Sequence, residues 1–295
     1  MKIAIIGGSG KMGHWFAAFL AAAGKDILLI GRDFQKLEKS RGSLNVSLST
    51  DIADTAASDA VIISVPVNHF EETVKKLGLH TRPEQVILDI TSVKTLPVAA
   101  MQKYIVKGQI LGTHPVFGPG ARSLANQSCI LTPTTEEENR LAQKVKAFLE
   151  SNNAKVSLMT PDEHDEMMAV ILGLAHFIAI VSADSLSAFN KLKKMEPIGG
   201  ITYKVLLTLV ESVISEDAGL YASLQMNLPH LPQFQQRFQQ NCLDWVEIVK
   251  QKDSRQFVQR MEAIRGKLEA CNPDFGKSYD NMYKIAEVLK DKTPL

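Results

Sequence analysis

The sequence predicts an α/β domain with a doubly wound, mainly parallel sheet, followed by an all-helical domain. Residues 2–159 alternate short β-rich runs with helical stretches, which is typical of βαβ units. The remainder shows only the 3.6-residue period of helices. The chain has 295 residues, 45% of them hydrophobic, which is enough for two cores. We therefore expect one domain at residues 1–160 and a second at residues 161–295.

The first domain is predicted to contain seven strands. Each is a short run rich in Ile, Val and Leu between polar or Gly-containing segments. The predicted strands are residues 3–6, 27–30, 60–65, 86–90, 109–112, 128–131 and 155–158. Thr160 and Glu163 then form a capping box around Pro161. This box predicts a long helix that runs to about residue 189.

The second domain is predicted to be helical throughout. Its helices are expected at residues 199–215, 217–227, 231–251, 254–270 and 274–290, separated by Gly and Pro residues. Apolar stripes such as Val205, Leu209 and Val213 are too numerous for the interior of a monomer. We therefore expect a homodimer that forms through the helical domain.

Charge and cysteine content exclude several classes of protein. The 33 Lys and Arg residues nearly balance the 32 Asp and Glu residues, so no nucleic-acid or membrane partner is expected. Three widely spaced cysteines predict neither a disulfide framework nor a metal site. The first apolar run is too short for a signal peptide, which favours the cytoplasm. The apolar stretch 167–183 falls short of a bilayer span and predicts a core or interface helix.

A glycine motif follows the first predicted strand and opens a helix. It is formed by Gly8, Ser9, Gly10, Lys11, Met12 and Gly13. In this context G-x-G-x-x-G is typical of a Rossmann dinucleotide site. Gly8 is expected to allow the sharp turn, Gly10 the approach of the pyrophosphate, and Gly13 the close packing of helix on strand. The phosphates would then face the amino terminus of the helix.

The end of the second strand indicates which nicotinamide cofactor binds. An acidic residue there would hold the ribose of NAD, but Gly31 and Arg32 occupy these positions. The guanidinium favours a 2′-phosphate, so NADP is predicted, whereas nearby Asp33 keeps NAD as the less favoured alternative. Val65 and Pro66 follow another strand and are expected to line the same cofactor edge.

Two further polar groups follow predicted strands. Ser92 comes after the strand at 86–90, and His114 stands in a proline-flanked loop after the strand at 109–112. Because the carboxyl ends of parallel strands meet at one edge, both should lie beside the cofactor. Histidine can accept the proton of an alcohol that is being oxidised. Ser92 would orient the imidazole or hydrogen-bond the same substrate oxygen.

Several motifs together carry a resemblance to a known family. They are Ile-Ile-Ser-Val-Pro at 62–66, Asp-Ile-Thr-Ser-Val-Lys at 89–94, Gly-Thr-His-Pro-Val-Phe-Gly-Pro at 112–119 and Ala-His-Phe at 175–177. In this order they resemble the prephenate dehydrogenase family. The resemblance implies oxidative decarboxylation of prephenate or a related cyclohexadienol, a reaction of tyrosine biosynthesis. It makes His114 the base, Ser92 its support, and His176 a substrate-binding residue from the helical domain.

The sequence departs from the family pattern where the substrate's carboxylate would bind. Ser212 stands at the position of an expected arginine, and Gly120 replaces a frequent acidic residue. Lys204 and Arg122 are the candidates to replace the missing guanidinium. Prephenate, arogenate and an amino-substituted prephenate all remain candidate substrates. The family's mutase segment and small regulatory domain are not recognised, so neither mutase activity nor tyrosine regulation through such a domain is expected.

Two other functions remain open at this point. A β-hydroxyacid or imine reductase would share the layout, but it would be expected to carry a catalytic lysine or aspartate on the helix at 167–189. That helix offers His176 and Asp184, and no lysine. An NADP-sensing binding protein that has lost catalysis would explain Ser212. The presence of both Ser92 and His114 argues against it.

Overall fold

The computed structural model of the chain describes residues 1–290, so residues 291–295 of the predicted second domain lie outside the described residues. The chain divides into two compact units. The first unit comprises Met1–Ala169 and Ala222–Pro229, and the second comprises Val170–Tyr221 and the chain from His230 onward. The predicted boundary between residues 160 and 161 stays a prediction.

The first unit contains one sheet with strand order β3-β2-β1-β4-β5-β6-β7-β8. The strands are β1 (Lys2–Ile6), β2 (Asp26–Ile30), β3 (Ser47–Ser49), β4 (Ala60–Ile63), β5 (Val86–Asp89), β6 (Gln109–Pro115), β7 (Ser128–Thr132) and β8 (Lys155–Leu158). All neighbours are parallel except β6 and β7. The predicted doubly wound, mainly parallel sheet is thus confirmed. The sequence did not indicate β3, which has three residues and no apolar run.

Helices cover both faces of this sheet. They are α1 (Lys11–Ala22), α2 (Phe34–Arg41), α3 (Phe70–Leu77), α4 (Thr95–Tyr104), α5 (Glu136–Ser151) and α6 (Pro161–Met168), with 3-10 turns at Ile52–Ala57 and Val67–His69. Alternate residues of β1 serve the two faces. Ile3 and Ile5 pack with α1 and α2, whereas Ala4 and Ile6 pack with α3 and α4. Burial on both faces explains why the strands read as continuous apolar runs.

Helix α6 begins at the predicted capping box. Thr160 accepts from the backbone of Glu163, and the Glu163 side chain accepts from the backbone of Thr160. A π-helical segment, Ala169–Leu174, continues α6 into α7 (Ala175–Ser187). The full stretch, Pro161–Ser187, is long and apolar enough to cross a membrane by length and composition only, which is weak evidence for a span. The helix thus extends beyond the apolar run 167–183 at both ends, which is why it passes a length test that the run alone does not.

The second unit is helical, which confirms the predicted class of this part of the chain. Besides α7 it contains α8 (Leu192–Met195), α9 (Ile201–Ile214), α11 (Leu231–Gln251), α12 (Ser254–Cys271) and α13 (Ser278–Lys290). The residues of α10 (Ala218–Asn227) are divided between the two units. Helix α9 packs against α7 and α13, and α11 packs against α12. Many large apolar side chains of these helices are exposed in the single chain.

Candidate active site

His114 lies inside β6 and not in a loop after it, so that expectation is wrong. The parallel neighbour β5 ends at Asp89, which is opposite Gly112. The antiparallel neighbour β7 continues beyond that point and pairs Ile130 with His114. This pairing extends β6 by three residues past its predicted end. The side chain of His114 is 3% exposed and is therefore placed by a strand within the sheet.

A second histidine is the direct partner of His114. His114 Nδ1 lies 2.8 Å from His164 Nε2, and the two rings meet edge to face with centroids 5.0 Å apart. His164 is fully buried on α6, and its Nδ1 lies 2.8 Å from Asp165 Oδ1. We call His114 and His164 the histidine pair. The sequence did not reveal His164 as a site residue, because its only local signal is a first-turn position on a helix.

Asp165 also caps α4. Its Oδ1 accepts from the backbone N–H of Lys94 at 2.7 Å, and its Oδ2 accepts from that of Thr95 at 2.9 Å. These are the orphan donors at a helix amino terminus, where a carboxylate is favoured. Burial raises the pKa of Asp165, but hydrogen bonds from His164 and Thr95 outweigh it, so the net shift is downward. Asp165 is therefore an ionised carboxylate that accepts from both α4 and His164.

A fully buried ion pair joins β5 to the start of α4. Lys94 Nζ contacts Asp89 Oδ1, lies 3.3 Å from Thr91 Oγ1, and donates to the carbonyl oxygen of Thr113 at 2.6 Å. The carboxylate also accepts from the backbone N–H of Thr91. Because Thr113 precedes His114, Lys94 ties the segment that carries Ser92 to the histidine strand. Burial lowers the pKa of Lys94, and the Asp89 carboxylate opposes that shift.

The environment keeps both members of the histidine pair neutral. Burial, and then the electrostatic influence of the neighbouring His164 and Lys94, holds the pKa of His114 well below its usual value of 6.5. Burial also lowers the pKa of His164, against the opposing effect of the hydrogen bond that His164 donates to Asp165. At neutral pH His114 is therefore an unprotonated imidazole, which can accept a hydrogen bond or a proton.

Ser92 is half-buried and follows β5, as predicted. Within residues 1–290, no hydrogen bond between Ser92 and His114 is present, and His164 is the group that orients the imidazole. The prediction that Ser92 orients His114 has no contact behind it in the described part of this structure and stays a prediction. Its other predicted role, a hydrogen bond to the substrate oxygen, stays a prediction.

The glycine turn lies between β1 and α1, but Gly7 is the residue with positive φ, at 87°. The assignment of the sharp turn to Gly8 is thus wrong. Gly8 is needed for close packing, because a Cβ there would lie 2.8 Å from Leu29 Cβ. A Cβ on Gly13 would lie 2.5 Å from Gly7 O, which agrees with the expected close approach of α1 to the turn. Gly10 is the N-cap of α1 and has no side chain to cover its amino terminus.

These features fit a dinucleotide. The uncapped amino terminus of α1 offers backbone N–H groups to a pyrophosphate. The helix begins at Lys11, followed by Met12, and Ser9 precedes its N-cap. A Cβ on Gly7 would lie 3.2 Å from Val65 Cγ1, so the segment carrying Val65 and Pro66 lies beside the turn.

The residues after β2 are those expected beside the adenosine ribose of the cofactor. Gly31 packs closely on Leu37, and Arg32 is exposed. Asp33 is the N-cap of α2, where its Oδ1 accepts from the backbone N–H of Lys36 at 3.1 Å. The first carboxylate that follows β2 in the sequence therefore has a structural role of its own.

The loop after β6 is fixed to α1. Trp15 Nε1 donates to the carbonyl oxygen of Ala121 at 2.7 Å, and Phe117 packs edge to face on the same indole. Arg122 follows directly and is exposed. No local sequence pattern indicates that Trp15 holds this loop.

The remaining predicted site residues lie in the second unit. His176 begins α7 directly after the π-helical segment, is half-buried, and packs edge to face on Tyr221 at 4.9 Å. Burial lowers the pKa of His176. Lys204 and Ser212 are exposed on α9, and the Ser212 hydroxyl donates to the Leu209 carbonyl oxygen at 2.8 Å. Their predicted roles toward a substrate stay predictions.

Among the described residues, no group of three or more His, Cys, Asp or Glu side chains is arranged to hold a metal ion. The three cysteines are free thiols. Cys129 is buried, and Cys242 and Cys271 are exposed.

Two family models match the chain in succession. The nucleotide-binding domain of prephenate dehydrogenase matches residues 16–158, and the dimerization domain of prephenate dehydrogenase matches residues 160–263. These two matches cover most of the chain and agree with the order of the Rossmann and helical parts.

Individual relatives agree with the family models. A probable arogenate/prephenate dehydrogenase of Methanocaldococcus jannaschii is 34% identical over 266 residues, which cover 89% of this chain and 60% of that protein. A T-protein of Haemophilus influenzae is 27% identical over 297 residues, or 98% of this chain and 73% of that protein. The chain thus spans about 60% of the length of the first of these relatives.

Solved structures share the fold. Prephenate dehydrogenase from A. aeolicus, in complex with hydroxyphenyl propionate and NAD+, matches with a TM-score of 0.76 at 21% identity. The match covers 92% of this chain and 98% of that chain.

Proposed function

The chain belongs to the prephenate dehydrogenase family, and we propose that it oxidises prephenate or a closely related cyclohexadienol with NADP and releases CO2. The observation that carries this proposal is the state of His114. It is a buried, neutral imidazole on a strand whose carboxyl end lies at the same sheet edge as the glycine turn. Ligands bind at that edge in open parallel sheets.

The reaction needs one proton acceptor from the protein. The bound nicotinamide supplies the acceptor for the hydride that leaves the ring carbinol carbon. His114 takes the hydroxyl proton as the carbinol becomes a ketone. The ring carboxylate then leaves as CO2, and its bonding electron pair enters the ring. His114 returns the proton to the phenolate oxygen, so the ring becomes an aromatic phenol. Ser92 is proposed to hydrogen-bond the same oxygen.

The preference for NADP follows from the end of β2. Asp33 is engaged as the cap of α2, which leaves the exposed Arg32 as the charged group for the ribose. A guanidinium binds a phosphate through charge-assisted hydrogen bonds, which are stronger than a hydrogen bond to the neutral ribose hydroxyl of NAD.

The cofactor proposal is tested by kcat/KM for both nucleotides in the wild type and in Arg32→Ala. Loss of a hydrogen bond to a charged group costs about 1.5–3 kcal/mol, so kcat/KM for NADP should fall by roughly 10- to 100-fold. The value for NAD should stay within about threefold, because no charge on NAD faces Arg32. A wild-type enzyme that prefers NAD would overturn this proposal.

The substrate's carboxylate is proposed to meet Lys204 or Arg122, together with His176. Ser212 is a poor substitute for a guanidinium, since its hydroxyl already donates within α9. Lys204 and Arg122 are exposed cations in two different units. Parallel KM values for prephenate and arogenate in Lys204→Gln and Arg122→Gln would identify which cation binds the carboxylate. If neither KM rises, both assignments fail.

A homodimer through the helical part is proposed from exposed apolar surface. Large apolar side chains stand at 40–62% exposure on α7, α9, α11 and α12, among them Val181, Leu209, Leu243, Val246 and Val249. Single exposed apolar residues are normal on a protein surface, but this many large ones on four helices of one unit are typical of an interaction surface. The matching dimerization domain of the family supports this reading, and cytoplasmic location is part of the same proposal. Light scattering should give the mass of two chains, and a monomeric mass would contradict the proposal.

The proposed activity is tested with purified protein, NADP and each of prephenate, arogenate and amino-substituted prephenate. NADPH absorbance and the aromatic product should appear together with at least one of them. His114→Asn removes the base and should lower kcat by about 10²- to 10⁴-fold. The half-buried His80 follows α3 and is not among the predicted site residues, so His80→Asn serves as a control with unchanged turnover. Tight NADP binding without turnover of any of these substrates would instead support a sensing protein.

A further inference from the structure

The contacts of the histidine pair continue into a chain of three groups. His114 Nδ1 faces His164 Nε2, His164 Nδ1 faces Asp165 Oδ1, and Asp165 accepts from the amino terminus of α4. All three side chains are at most 3% exposed. Water therefore does not compete for these hydrogen bonds, and each group must take its partner from the next.

The direction of each hydrogen bond in this series follows from its last member, Asp165. The Asp165 carboxylate can only accept, so His164 Nδ1 must carry a proton. A neutral imidazole has one N–H, so His164 Nε2 is an acceptor. His114 Nδ1 lies 2.8 Å from that acceptor and must donate to it. The lone pair of His114 is then on Nε2, the ring nitrogen that His164 does not engage.

We propose that His164 and Asp165 are positioning residues that hold His114 in its Nδ1–H tautomer, with Nε2 as the acceptor of the substrate's hydroxyl proton. The proposal rests on the proposed function only for the identity of that proton donor. The opposite tautomer would place N–H against the hydroxyl and could not accept a proton. In histidine sites the hydrogen bond at one nitrogen selects which nitrogen is free to react.

The charged groups around the pair support the same assignment. Lys94 and Asp89 form an ion pair on the β5 side, and Asp165 is the acidic residue of α6 that contacts His164. Asp165 is tied to two backbone N–H groups at the start of α4. The amino terminus of α4 therefore stabilises the Asp165 carboxylate. Through Asp165 and His164 on α6, this terminus determines the tautomer of His114 on β6.

Substitutions at His164 separate the positioning role from simple packing. Glutamine can place an amide oxygen where Nε2 stands and still accept from His114 Nδ1. Leucine fills similar space and accepts nothing. We expect His164→Leu to lower kcat by about 10²-fold, at the low end for general-base catalysis, with KM within about threefold. His164→Gln should retain kcat to within about tenfold of the wild type.

A spectroscopic readout needs no substrate. Long-range proton–nitrogen correlation spectra of 15N-histidine protein report which ring nitrogen is protonated, and His114→Asn assigns the His114 signals among the seven histidines. The wild type and His164→Gln should show His114 protonated at Nδ1 at neutral pH. His164→Leu should shift the proton toward Nε2. Thr160→Ala is the matched control, because it removes the cap of the same helix and should lower Tm without changing the tautomer or kcat.

Three outcomes decide the proposal. A wild-type His114 protonated at Nε2 would overturn it. So would a His164→Leu variant with the wild-type tautomer and kcat. Retention of the Nδ1–H signal without turnover of any cyclohexadienol would refute the proposed function and still support the tautomer assignment.

Discussion

Replacing Lys94 with methionine should strongly destabilise the first unit. Methionine keeps most of the apolar stem, so the main loss is the ammonium that contacts Asp89 and the Thr113 carbonyl oxygen. Asp89 then becomes an uncompensated carboxylate at a position that is 0% exposed. Within residues 1–290 its Oδ2 has no hydrogen-bond partner even when Lys94 is present. Removing one partner of a buried ion pair costs about 3–5 kcal/mol.

The expected size of the effect can be converted to a melting temperature. A domain of this size loses about 2–4 °C of Tm per kcal/mol, so Lys94→Met should melt about 6–20 °C lower than the wild type. Calorimetry or circular dichroism with temperature measures this shift. The surface pair of Lys146 and Glu150 gives a matched control. Lys146→Met should change stability by only about 0–1 kcal/mol, since exposed pairs contribute little.

The double variant tests whether the cost comes from the unpaired charge. Combining Asp89→Asn with Lys94→Met removes both charges of the buried ion pair. The asparagine keeps an oxygen that can accept from the Thr91 backbone N–H. The double variant should therefore be more stable than the sum of the two single losses by roughly 0.5–3 kcal/mol. Additive losses, or a Lys94→Met loss below about 1 kcal/mol, would refute the reasoning that Asp89 depends on a buried ammonium.

Three further predictions follow from burial and packing. The native histidine pair resists protonation, whereas histidines of the unfolded chain take up protons near pH 6.5. The free energy of unfolding should therefore fall as the pH drops from 7 to 5.5, by about 1 kcal/mol for each histidine that stays neutral. Equal urea midpoints at both pH values would contradict this. Burial raises the pKa of the Cys129 thiol to about 11, whereas Cys242 and Cys271 are exposed. A thiol reagent should therefore label Cys242 and Cys271 in the native protein and Cys129 only after unfolding. Mass spectrometry of the labelled peptides measures this pattern. In Gly13→Ala the new Cβ would meet the Gly7 carbonyl oxygen, so the free energy of unfolding should fall by about 1–3 kcal/mol. The same variant should bind NADP more weakly in a fluorescence titration. Unchanged affinity would mean that α1 can shift away from the turn.

The sequence predicted the sheet because its strands are buried on both faces. Apolar runs such as 3–6 and 86–90 are visible without any partner, and the glycines after β1 signal the turn directly. Gly8 was assigned the wrong role, since the residue that adopts positive φ and the residue that packs against Leu29 have the same local signal. Position in a motif identifies the turn but not which glycine bends.

The partner of the active-site histidine could not be predicted, because it depends on contacts between distant segments. His114 and His164 are 50 residues apart, and nothing in either neighbourhood names the other. Asp165 likewise has the appearance of an ordinary acidic residue near the start of a helix, one of four acidic residues in α6. Its cap on the start of α4 spans 71 residues of sequence. Local patterns identify which side chains are capable of chemistry, whereas the fold decides which of them meet.

The extension of β6 explains why the site uses this histidine. After Gly112 the parallel neighbour has ended, and of the neighbouring strands only the antiparallel β7 pairs with Thr113 and His114. The Lys94 ammonium also holds this segment through the Thr113 carbonyl oxygen. A histidine placed there has a rigid backbone and a ring held by His164 at the carboxyl edge of the sheet. In a loop the same side chain would have to be ordered on substrate binding, at a cost in conformational entropy that the strand has already met during folding.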